Sequence, residues 1–119
     1  MKCVLLSADL ILASAAQGLA QRFNANVVVT GACPDAAARC ADLAPRYLLI
    51  DLRLPGLDLE SLVRAVRSAN DTTKIIACGP HVHQQRLAAA IAAGCDEVIT
   101  RGQFEGRLAE LLGNEPSSD

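Results

Sequence analysis

The sequence predicts an α/β fold: a doubly wound, five-stranded parallel sheet with helices on both faces. Two observations carry this. Short apolar runs recur at residues 3–6, 27–29, 47–50, 75–78 and 98–99, with starts 20 to 28 residues apart, which leaves room for one helix in each gap. The runs are apolar throughout rather than alternating, as befits strands buried on both faces of a parallel sheet. The gaps, in turn, carry helical periodicity. Alternation of this kind folds with right-handed crossovers.

The elements follow in order. Leu12, Ala16, Leu19 and Phe23 share one face of a first helix, with Asp9 placed to cap it. Pro34 suits the first turn of a second helix, whose inner face holds Ala36, Cys40 and Leu43. Leu59, Leu62, Val63 and Val66 form a third stripe, opposite Glu60, Arg64 and Arg67. Leu87 and Ile91 are expected to anchor a fourth helix that stops at Gly94. Phe104, Leu108, Leu111 and Leu112 make the fifth. One domain over residues 1–112 is expected, followed by a polar, disordered tail over 113–119.

Composition excludes several functions. The 119 residues carry 11 Lys+Arg against 13 Asp+Glu, a net charge of −2, with no basic run, so a nucleic-acid partner is not expected. Phe23, Tyr47 and Phe104 are the whole aromatic set, too few for a base-stacking platform. The core must be built from Leu, Val, Ile and twenty-one alanines, which favours close helix–sheet contact. No apolar run is long enough to span a bilayer and no basic segment precedes a long apolar one, so no membrane contact is expected and the expected location is the cytoplasm. Cys3, Cys33, Cys40, Cys78 and Cys95 are odd in number and form no CxxC pair, which reads as reduced, mostly buried thiols. His81 and His83 lack a partner at metal-ligand spacing and read as loop and helix-start residues.

In a doubly wound sheet, ligands bind at the carboxyl ends of the strands. Attention therefore falls on Ser7-Ala8-Asp9, Thr30-Gly31, Asp51, Gly79-Pro80 and Arg101. The segment from Ile50 and Asp51 through Arg53, Pro55, Gly56 and Asp58 resembles the acceptor segment of the response-regulator receiver (CheY-like) family, in which a proline follows the acceptor aspartate by four residues. The stretch from Ile75 to Pro80, and the Ala92-Ala93-Gly94 turn, resemble the same family's fourth strand and the turn after its fourth helix. The resemblance covers essentially the whole chain and implies a flavodoxin-like sheet in the order 2-1-3-4-5.

The resemblance implies a site, and each position can be tested. Phosphoryl transfer relies on positioning and on neutralising the phosphoryl oxygens, which in this family takes an acceptor, acids that hold Mg2+, a hydroxyl and a lysine. Asp51 stands at the acceptor position. Ser7 and Ala8 stand where the family has its metal-binding acids, Gly79 where it has the switch Thr or Ser, and Arg101 where it has the lysine. Val98 replaces the switch aromatic and Gly102 the following proline. Asp9 and Arg53 are accessory candidates, Asp9 only if the first strand slips by one residue. Mg2+ is accordingly expected to bind weakly or not at all, because a hard cation needs carboxylate ligands.

These readings converge on a degenerate, or pseudo-, receiver. It is expected to be a non-enzymatic signalling module acting through protein contacts, with a histidine kinase or an output protein as partner. The contact face implied is the fourth helix, fifth strand and fifth helix, where Gln84, Gln85, Arg86 and Ala89 point outward, and it would also serve a homodimer. Asp51 has two open readings: a structural carboxylate paired with Arg101 and Ser7, or a working phospho-acceptor. A flavodoxin-like cofactor enzyme is a distant third, since the chain lacks a glycine-rich phosphate loop, a GxSxG turn and ring-stacking aromatics.

Overall fold

The computed structural model describes residues 1–114. Five strands, β1 (Lys2–Leu6), β2 (Asn26–Thr30), β3 (Tyr47–Asp51), β4 (Lys74–Gly79) and β5 (Glu97–Thr100), alternate with helices. These are α1 (Leu10–Arg22), α2 (Cys33–Leu43), α3 (Leu59–Ala69), α4 (Gln84–Ala92) and α5 (Phe104–Asn114), the last entered through a 3-10 turn at Arg101–Gln103. All strand pairs are parallel, in the order β2-β1-β3-β4-β5. Fold class and strand order are those expected.

Strand side chains alternate between two cores. Val4, Leu6, Leu48, Ile50, Ile75 and Ala77 face the layer of α2, α3 and α4. Cys3, Leu5, Tyr47, Leu49, Ile76 and Cys78 face α1 and α5. β1, β3 and β4 are almost wholly inaccessible, which is why their sequences are continuous apolar runs.

The helices begin and end where local chemistry dictates. The Asp9 carboxylate accepts from the Ile11 and Leu12 N–H groups and caps α1. Pro34 lies in the first turn of α2, and Asp58 caps α3 through the Ser61 N–H. Gly94 has φ +100° just after α4, a backbone region that other residues adopt only with strain.

Two expectations need correction. Ile91 does not anchor α4: it is 66% exposed, and Ala90 is the buried residue, with Leu87 partly buried beside it. α4 is short and turns its small face to the sheet, so the larger side chain is left on the outside. Gly113 and Asn114, assigned to a disordered tail, form the last residues of α5. Gly113 lies so close to the Phe23 ring that a Cβ there would stand 3.2 Å from it. Residues 115–119 of the expected tail lie outside the described residues.

Candidate functional site

The β1–β3 register builds the site. Leu6 lies opposite Ile50, so the next residues, Ser7 and Asp51, emerge side by side at the carboxyl edge of the sheet. Both are buried. The Ser7 hydroxyl donates to Asp51 Oδ2 at 2.6 Å, and the Arg53 backbone N–H donates to Asp51 Oδ1 at 2.9 Å. Ser7 Oγ also accepts from the Asp9 N–H at 3.0 Å, which ties the start of α1 to the same point. Each carboxylate oxygen thus has a donor, as a buried charge requires.

Outside this pair an open cleft of about 290 Å3 is lined by Ala8, Asp9, Asp51, Arg53, Leu54 and Pro55. The accessory candidates Asp9 and Arg53 do flank Asp51 there. No register slip is needed for that placement, and Asp9 keeps its capping bonds.

Arg101 does not pair with Asp51. Its Nη1 donates to Glu105 Oε1 at 2.7 Å, and its guanidinium lies 5.9 Å from the centre of the Phe104 ring. The 3-10 turn directs the side chain along α5, where Glu105 waits four residues on. That helical spacing was visible in the sequence and was the missed signal. Asp51 takes Ser7 as its partner instead.

At Gly79 the space for a side chain is tight. A Cβ there would stand 3.3 Å from both Cβ and Cδ1 of Leu52 and 3.5 Å from Leu87 Cδ2. Leu52 is the residue after Asp51 and points to the opposite face of the sheet, so its filling role had no sequence signature. Val98 packs partly buried on the α2–α3–α4 side. His81 and His83 lie in the β4–α4 connection, His83 at the α4 N-cap position.

Cys78 lies opposite Asp51 in the β3–β4 register. Burial, reinforced by the Asp51 charge, pushes its thiol up to about 12, so it stays protonated near neutrality and is no nucleophile.

A divalent cation at this cleft would find a single buried carboxylate, Asp51, with Asp9 at the rim. Ser7 presents a hydroxyl that donates to Asp51, Ala8 has no ligating atom, and Asp9 already accepts the α1 amides on Oδ1. Among the described residues no group of three or more His, Cys, Asp or Glu side chains is arranged to hold a metal ion.

Known proteins share this architecture. No protein-family model matches the sequence. The chain is 33% identical over 82 residues to protein-glutamate methylesterase/protein-glutamine glutaminase 5 of Myxococcus xanthus (strain DK1622); the match takes in 66% of this chain and 24% of that protein, so the chain spans about a quarter of its relative's length. A response regulator from Hahella chejuensis superposes with a TM-score of 0.81 at 17% identity, over 94% of this chain and 92% of that one. A CheY-like protein, tadZ, from Pseudomonas aeruginosa PAO1 gives 0.72 at 24% identity, over 100% and 98%. The receiver domain of a sensor histidine kinase from the same organism, with magnesium coordinated in its active-site cleft, gives 0.75 at 18%, over 95% and 98%. Element order, register and these superpositions agree: the chain has the fold of a response-regulator receiver domain.

Proposed function

We propose that this chain is a receiver-like signalling module of the two-component type that acts through protein contacts, its Asp51 being a structural carboxylate. The observation that carries the reading is the Ser7 hydroxyl on Asp51 Oδ2, at a position where a receiver needs a metal-binding acid. With Gly79 lacking a hydroxyl and Arg101 engaged by Glu105, one acceptor remains without the groups that neutralise a transferring phosphoryl. The module is non-enzymatic and consists of the α/β unit as a whole. The methylesterase and glutaminase activities named for the Myxococcus protein are not extended to it, since the match spans a quarter of that protein and no GxSxG turn occurs here.

Partners of this module are a histidine kinase or an output protein, met on the α4–β5–α5 face, which also suits a homodimer. Val82 and Ile91, 69% and 66% exposed beside and on α4, support a contact surface there. Among the described residues no helix is long and apolar enough to cross a membrane. The module is read as cytoplasmic.

One observation favours the rival reading of a phospho-acceptor. Asp51 opens onto a cleft, and Arg53 brings a cation to its edge. Intact-mass measurement after incubation with acetyl phosphate and Mg2+ decides between the two. No phosphoryl increment is expected, and amide shifts around Asp51 should stay unsaturated at millimolar Mg2+. An increment that Asp51→Asn abolishes would overturn the structural reading.

A further inference from the structure

We propose that the gap between the β3–α3 connection and α4 is a docking groove for a partner segment that combines leucine-type side chains with carboxylates. In the helical layers, α2 packs on α3 and α1 on α5, but α3 and α4 scarcely meet. A groove of about 550 Å3 opens where they diverge. Leu52 and Leu54 form its floor, and Leu57, Leu59 and Ala89 its walls. The floor is buried, the leucines of the wall are half-exposed, and Ala89 leaves room for close approach.

The charge at the mouth selects the occupant. Arg53 and Arg86 both line the groove, both are exposed, and no acidic residue lines it. Arg86 Nη1 reaches the Leu52 carbonyl at 3.4 Å, which steadies its guanidinium over the apolar floor. Among the described residues neither guanidinium has a carboxylate within ion-pair distance, although the chain as a whole is acidic. Two cations flanking a leucine-lined trough complement an amphipathic helix whose leucines recur at i, i+3 and i+4 and whose flank is acidic. Nucleic acid would need a longer basic track and stacking rings. The groove and the Asp51 cleft share Arg53, Leu54 and Pro55. The proposal rests on the reading of the chain as an interaction module but not on the chemistry of Asp51.

A capped, helix-forming peptide of leucines at that spacing and glutamates on the polar face is the probe, with a control in which lysine replaces every glutamate. The glutamate peptide should shift the amides of residues 52–59 and 86–89, and the lysine peptide should not. Arg53→Glu with Arg86→Glu should weaken the interaction at least about tenfold. Ala89→Trp should block it by filling the wall, with melting temperature and amide dispersion confirming the fold of each variant. Asp51→Asn, which keeps an oxygen for the Arg53 N–H, should bind the peptide unchanged. Loss of binding by a variant with an intact fold would show that occupancy depends on the Asp51 carboxylate and would overturn the groove as an independent site. Phosphorylation of Asp51 with peptide binding retained would overturn only the structural reading of Asp51. Equal binding of both peptides, shifts centred elsewhere, or no saturable shift at millimolar peptide would overturn the groove. So would arginine-dependent binding to phosphatidylglycerol vesicles without binding of the peptide.

Discussion

Ser7 decides the character of the Asp51 site. A hydroxyl is the smallest group that can satisfy the buried carboxylate from the neighbouring strand, and it does so at 2.6 Å. Removing it leaves Asp51 Oδ2 without its protein donor. Ser7→Ala should therefore destabilise the protein by about 1–3 kcal/mol, read as a lower urea midpoint with an unchanged slope. Thiol chemistry provides a second check at this scale. Burial holds Cys78 at about 12 and Cys40 and Cys95 at about 11, so all three stay protonated near neutrality. Cys33, half-exposed at the start of α2, is expected to react first with an aromatic disulfide at pH 7.5, and Cys78 only on the timescale of unfolding. Fast labelling of Cys78 in the native state would contradict its burial. Asp51, Ser7, Gly79 and Arg101 were all placed from the sequence at the carboxyl ends of strands, and the structure puts them there. The Asp51–Arg101 pair failed because a long, flexible guanidinium side chain follows its nearest local partner, Glu105, rather than an aligned position in the sheet.

At the scale of elements, β4 ends against a side chain from the neighbouring connection. Leu52 crowds the point from which a side chain at position 79 would project, and Leu87 lies in contact beside it. Gly79→Thr, whose Cβ would crowd Leu52, should cost about 1–3 kcal/mol through overpacking. Combined with Leu52→Ala, the two changes should be non-additive, because the second removes Leu52 Cδ1, one of the atoms the first crowds, although Leu52 Cβ stays in place. Additive unfolding free energies would show that Leu52 is not the obstacle. α4 illustrates where periodicity misleads. Leu87 and Ile91 are four apart and share a stripe, yet the helix is rotated so that Ala90 meets the sheet and Ile91 faces out. In a helix of nine residues rich in alanine, the apolar stripe is too weakly marked to specify its rotation.

The whole molecule is tied together at the far end of the sheet, away from Asp51. Arg107 of α5 grips Glu97 of β5 through two bonds of 2.8 Å, and Lys74 of β4 adds a contact at 2.6 Å. The hydrogen bonds from Arg107, helped by Lys74 against some burial, lower the Glu97 carboxyl to about 2 from its usual 4.5. Because the folded value is depressed, the stabilisation is present above about pH 4.5 and is lost as pH falls through about 2. Lys74 and Arg107 face solvent, so screening limits the contribution to on the order of 1 kcal/mol. Glu97→Gln should flatten the acid limb of stability between those values, and 0.5 M salt should do the same in part. An unchanged acid limb would mean that the network adds nothing. A neighbouring tie runs from Arg67 to the Thr73 and Gly94 carbonyls and to Asp96, whose carboxylate also accepts from the Ile75 N–H. Burial works against the Asp96 charge, but those donors outweigh it and hold the carboxyl below its ordinary range.

The sequence by itself determined the layered architecture, the number and order of the elements and the placement of Asp51 at a strand end. Short continuous apolar runs spaced by helix-length gaps favour parallel strands covered on both faces, and Asp9, Pro34, Asp58 and Gly94 carry their helix-boundary chemistry within a few residues. The tertiary structure alone decided the partners. That Ser7 meets Asp51 depends on the β1–β3 register. That Leu52 fills the place beside Gly79 depends on the pleat turning it away from Asp51. That Arg86 and Arg53 flank one apolar groove depends on α4 diverging from α3. Each brings together residues from different crossovers, and no local spacing records the distance between them, because the twist and packing of the complete sheet set it.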